Sequence, residues 1–178
     1  MNNQLLSGTG GLVVVDGPDI HIPGIPDTEV TKKLNPCRLT VTLRGVYYGG
    51  DNVGSEWEYR IAVNNKIWCS GLRNVQWRSW DAVNQQIYDE IIDHGCGLIQ
   101  LVTFFVRARE RDWYIFDDIG ERADVTAIPC TREKSKRRVV ISVPVVEYPG
   151  ILWRWMFRRF KKIAMLYFFF EVEAQCVE

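Results

Sequence analysis

Period-two alternation restricts this chain more than any other feature of its sequence. From Arg38, the residues Leu39, Val41, Leu43 and Gly45 alternate with Thr40, Thr42 and Arg44, and Val46-Tyr47-Tyr48 follow. Alternation combined with β-branched and aromatic side chains fits a pleated strand with one buried face, and does not fit a helix. A turn-forming run, Gly49 to Ser55, comes next. A second strand is expected from Glu56 to about Trp68, with Trp57, Tyr59, Ile61 and Val63 on one face and Asn64-Asn65 marking a turn. Further strands are expected at Leu98 to Ala108, Ala123 to Ile128, Arg138 to Val146 and Leu166 to Ala174. Between residues 70 and 97 the pattern leaves helix and strand open, because Val83, Ile87 and Ile91 stand at helical spacing while Ile87, Asp89 and Ile91 also suit a strand.

These elements add up to an all-β chain, an antiparallel β-sandwich of about seven to eight strands with room for one or two short helices. Residues 1–36 are rich in Gly and Pro around one short apolar run, Leu12 to Val15, and read as an extended N-terminal arm; residues 37–178 read as the sandwich domain. With 178 residues and 47% hydrophobic content, the chain suits one well-buried core. The most apolar long stretch, Ile151 to Phe170, contains Arg154, Arg158, Arg159, Lys161 and Lys162, which excludes a spanning helix there. The five cysteines, Cys37, Cys69, Cys96, Cys130 and Cys176, form no close pair and are odd in number. That pattern, with no apolar leader, predicts free thiols and a cytoplasmic setting, with peripheral membrane association open.

Lys+Arg and Asp+Glu balance at 22 each, so the chain as a whole does not attract polyanions. Their distribution is uneven, and the carboxylates concentrate in two segments: Asp51 to Glu58, and Arg109-Glu110-Arg111-Asp112 through Asp117-Asp118-Ile119-Gly120. Convergent acidic loops supply the oxygen ligands that a hard cation such as calcium takes. The first segment, Gly50-Asp51-Asn52-Val53-Gly54-Ser55-Glu56-Trp57-Glu58-Tyr59, resembles the first calcium loop of the C2 domains. The second, Val106 to Asp112 followed by Asp117 to Glu121, resembles their strand that ends in two alternating aspartates and then Asp-Ile-Gly. The resemblance implies a calcium-dependent membrane-docking β-sandwich, with Asp51 and Glu56 as ligands from one loop and Glu110, Asp112, Asp117 or Asp118 from the other. Glutamate stands for aspartate at Glu56 and Glu110, and the family's proline is missing. The alternative reading of the same carboxylates is a solvated acidic rim that caps strands.

From Arg132 to Lys162 there are ten basic and two acidic residues. Within that span Trp153, Arg154, Trp155, Phe157, Arg158, Arg159, Lys161 and Lys162 mix cations with rings. Read as a helix, this is a combination that settles on an anionic membrane surface or a protein partner. The same stretch could instead pack its apolar side on the sandwich and snorkel its basic stems to water. Arg132, Lys134, Lys136, Arg137 and Arg138 add charge without an RNA-binding aromatic motif, so nucleic acid is not the expected partner.

Only His21 and His94 are present. Neither belongs to a hydrolase constellation, and His94 beside Cys96 lacks a third orienting group. The expectation is therefore a binding module rather than an enzyme: a calcium-binding C2-like domain that docks on a membrane or protein. The competing reading is a metal-free sandwich serving as a structural or assembly subunit, a homo-oligomer joined through its N-terminal arm.

Overall fold

A computed structural model of the chain describes residues 35–111, 117–147 and 161–178. Eight strands make up these residues: β1 (Cys37–Gly50), β2 (Glu56–Val63), β3 (Lys66–Asn74), β4 (Trp80–Ile92), β5 (Ile99–Glu110), β6 (Asp118–Pro129), β7 (Ser135–Glu147) and β8 (Lys162–Cys176). They form two four-stranded sheets in the orders β4-β1-β8-β7 and β3-β2-β5-β6, and every pairing is antiparallel. The expected all-β sandwich is what forms, and no helix occurs among the described residues.

Alternation determines which face of each strand is buried. Leu39, Val41 and Leu43 of β1 point inward, as do Trp57, Tyr59, Ile61 and Val63 of β2, Val102, Phe104 and Val106 of β5, and Leu166, Phe168, Phe170 and Val172 of β8. Inside, Tyr59 meets Phe168 edge-on at 5.1 Å and Tyr48 meets Trp57 in the same way at 5.1 Å. Halfway along β1 the register against β8 slips between Leu43 and Gly45. The extra residue of this bulge reverses the alternation, so that Val46 and Tyr48 turn into the core and Tyr47 turns out. Gly45 also sits under the indole of Trp80, where a Cβ would lie 2.3 Å from Cζ2. That close approach requires glycine.

Two sequence expectations need correcting, and one open stretch is resolved. The span expected to be one strand from Glu56 to about Trp68 is a hairpin, because Asn64 (φ 44°) and Asn65 (φ 70°) take the left-handed conformation of a tight two-residue turn. The open stretch before Gly97 contains a strand, β4, paired along β1. The segment read as a basic helix is already strand from Lys162 onward.

The thiols are also not free. Cys37 is bonded to Cys130 and Cys96 to Cys176, which leaves Cys69 as the free cysteine, exposed on β3. Separations of 93 and 80 residues hid these pairs in the sequence. The antiparallel sheets fold the chain back so that Cys37 and Cys176 are neighbours across β1 and β8. The backbone binds the same end through Cys96 N–H to Asn35 O (2.9 Å), Gly97 N–H to Cys130 O (2.8 Å) and Val177 N–H to Pro36 O (2.9 Å). The cytoplasmic expectation rested on free thiols, and the two bridges remove that support.

Candidate functional site

The sandwich has two unlike ends. One carries the disulfides, and the other carries the β1–β2, β3–β4 and β5–β6 loops together with the strand ends that flank residues 148–160. At this loop end the backbone is joined across strands. Asp51 N–H donates to Ile163 O (2.8 Å), and Ile163 N–H donates to the Asp51 carboxylate (2.9 Å). Val75 N–H donates to Ser55 O (2.8 Å), Tyr48 N–H to Ser79 O (3.0 Å) and Arg111 N–H to Glu56 O (2.8 Å). The Tyr48 hydroxyl accepts from Val53 N–H at 2.7 Å, and burial pushes its titration upward.

The two acidic segments meet at this end through the Arg111 to Glu56 hydrogen bond, and most of their described carboxylates are engaged by protein groups. Asp51 binds the Ile163 amide. Asp117 accepts from Arg109 Nε at 2.7 Å, and the Arg109 guanidinium also reaches Glu58 at 3.7 Å. Glu58 lies 3.5 Å from Arg111 as well. Glu56 opens β2, half-buried. Glu110 and Asp118 are register partners on β5 and β6 and point into the sandwich, 2% and 7% exposed. The Glu110 side chain fills the space above Gly54. Among the described residues, no group of three or more His, Cys, Asp or Glu side chains is placed to hold a metal ion. Asp112 lies outside the described residues.

Of the basic aromatic set, Trp153, Arg154, Trp155, Phe157, Arg158 and Arg159 lie outside the described residues, as do residues 1–34 of the N-terminal arm. Lys161 and Lys162 are exposed at the loop end. Lys162 pairs with Glu147 at 2.9 Å, and that hydrogen bond raises its pKa.

Sequence reading missed the tryptophans of the β3–β4 segment. Trp77 and Trp80 are 40% and 48% exposed. Trp77 donates its indole N–H to Gly50 O at 2.9 Å, and the Arg78 guanidinium lies over its ring at 4.1 Å. Trp80 packs edge-on against Phe169 at 4.9 Å, and Tyr47 lies 6.2 Å from Tyr167, so an aromatic shelf runs across the outer face of β4, β1 and β8. Ile163, 37% exposed, extends the shelf toward Lys161. The signal was present in Trp77-Arg78-Ser79-Trp80, which repeats the ring-and-cation alternation of Trp153-Arg154-Trp155. Cys96, two residues from His94, is oxidised in its bridge to Cys176 and is not available as a thiol nucleophile.

No protein-family model matches this chain, and no curated protein matches it. Among solved structures, one described as the structure of a C2 domain is similar, with a TM-score of 0.33 and 11% sequence identity over 76% of this chain and 97% of that chain.

Proposed function

We propose that this chain is a docking module whose loop end binds an anionic phospholipid surface through exposed rings and cations. The observation that carries this reading is the placement of Trp77, Arg78, Trp80 and Ile163 at that end. There the strands flanking Trp153, Arg154, Trp155, Phe157, Arg158 and Arg159 also terminate. Indole rings favour the headgroup level, where an apolar body and a polar N–H are both satisfied. Each cation near an anionic leaflet adds about 1 kcal/mol of attraction. The Asp117 charge is already offset by the Arg109 guanidinium, and the Asp51 carboxylate is held by the Ile163 amide.

Calcium-assisted docking is the second reading. It is favoured by the Arg111 to Glu56 hydrogen bond, which ties the two acidic loops together. One experiment separates the readings: co-sedimentation with phosphatidylcholine vesicles, with and without phosphatidylserine, in EDTA or in calcium. Binding to the anionic vesicles in EDTA is expected to weaken with salt and to fall several-fold in a Trp77→Ala, Trp80→Ala variant. Binding that needs calcium and is lost in Asp117→Asn selects the second reading. Failure to sediment under any condition overturns both.

A further inference from the structure

We infer that the Cys96–Cys176 bridge is a redox-controlled clasp: a dithiol reductant opens it while Cys37–Cys130 stays closed, and its opening releases Asn35, Pro36 and the end of β8. Burial separates the two bridges. Cys37 and Cys130 are 0% exposed, sealed in the core, whereas Cys96 and Cys176 are both half-buried at the surface of the disulfide end. Thiol–disulfide exchange requires a thiolate to reach a sulfur, so the accessible bridge is attacked and the sealed one is spared.

The clasp grips two consecutive carbonyls, one from each of the segments it joins. Asn35 O accepts from Cys96 N–H and Pro36 O from Val177 N–H, both at 2.9 Å. Asn35 is exposed, and Pro36 has no N–H with which to add a bond of its own. The two segments are anchored unequally once the bridge is open. Around Cys96, Gln100 Nε2 donates to Gly95 O at 2.9 Å, and Gly97 N–H donates to Cys130 O at 2.8 Å. Gly95 also lies against Cys37, where an added Cβ would stand 2.7 Å from that of Cys37. On the other side, the β1–β8 ladder ends at the Cys37 and Cys176 pair, and Val177 lies beyond its last rung. The end of β8 is therefore the part that swings away, and it takes the Pro36 hydrogen bond with it.

One thiolate of the dithiol attacks a bridge sulfur, forms a mixed disulfide and expels the other cysteine as a thiolate. The second thiol of the reductant then displaces the remaining cysteine. The bridge gains two electrons and two protons, and the dithiol loses the same as it closes to a cyclic disulfide. Cys130 O, 3.8 Å from Cys176 Sγ, is an acceptor within reach of the new S–H.

Graded reduction of the full chain with dithiothreitol tests this, in a Cys69→Ser background so that no free thiol competes. Each step is trapped with iodoacetamide and mapped by mass spectrometry. The expected result is label on Cys96 and Cys176 at about tenfold less dithiothreitol than is needed to label Cys37 and Cys130. In that half-reduced species, and in Cys96→Ser, Cys176→Ser, hydrogen exchange is expected to quicken about tenfold at the Cys96 and Val177 amides, with β1 and β5 still protected. Label on Cys37 and Cys130 first, or on all four cysteines together, overturns the proposal. Unchanged exchange at Cys96 and Val177 also overturns it. So does loss of protection throughout β1 and β5 in the half-reduced species, which would make the bridge a support of the whole fold.

Discussion

Gly45 shows how one residue sets the loop end. Its missing side chain makes room for the Trp80 indole, and the bulge it follows turns Tyr47 outward beside Tyr167. Gly45→Ala must push the indole away or shift the Asp81 carbonyl, 2.6 Å from the added Cβ. The expected cost is about 1–3 kcal/mol in chemical denaturation, with a change in tryptophan emission in the folded state. Glu173 decides a different property. Burial alone would raise its pKa, but hydrogen bonds from Lys134 and Lys136 outweigh that and hold it below the usual carboxylate range. A carboxylate depressed in the folded state stabilises the fold above its unfolded pKa and loses that contribution as pH falls through the folded value. Glu173→Gln should therefore cost less than about 1 kcal/mol at neutral pH, because both lysines are half exposed, and should flatten the decline in stability below about pH 4. Of the residues proposed from the sequence, Asp51 and the Asp117 pair were legible as loop-end carboxylates because their turns are local. Their partners Ile163 and Arg109 were not, since those contacts are set by sheet register.

β1 and β8 were read from alternation and β5 from an apolar run rich in β-branched and aromatic residues, and these three lie close to where the sequence put them. β2 instead stops early, at the Asn64-Asn65 turn. β4 was undecided because it is an edge strand, where a bulge against β1 near Val41 and a left-handed Asn84 (φ 48°) disturb the alternation. Pairing with β1 settles what the side chains alone left open. The disulfides also belong to this scale, since each joins segments that share no local pattern. Replacing Cys37 and Cys130 together by alanine removes a cross-link that spans 93 residues, and about 2–5 kcal/mol of stability is expected to go with it. Urea unfolding of the double variant against the parent chain measures this loss, and a midpoint unchanged within error would show that the fold does not depend on the bridge.

At the scale of the molecule, hydrophobic periodicity predicted two facing sheets, and tertiary pairing decided everything about their outer surfaces. The apolar run from Leu98 to Ala108 read as one strand, yet only alternate members are buried, and Ile99 and Leu101 face outward. No single strand could announce a shared outer face. It arises when β5 is placed between β2 and β6. The order of the cysteines along the chain has a separate consequence. Because Cys96 lies between Cys37 and Cys130, and Cys130 lies between Cys96 and Cys176, the two bridged rings interleave. A protease that cuts once anywhere between Cys37 and Cys176, whether in an exposed loop or in a frayed strand, leaves two fragments that remain one covalent molecule until a reductant parts them.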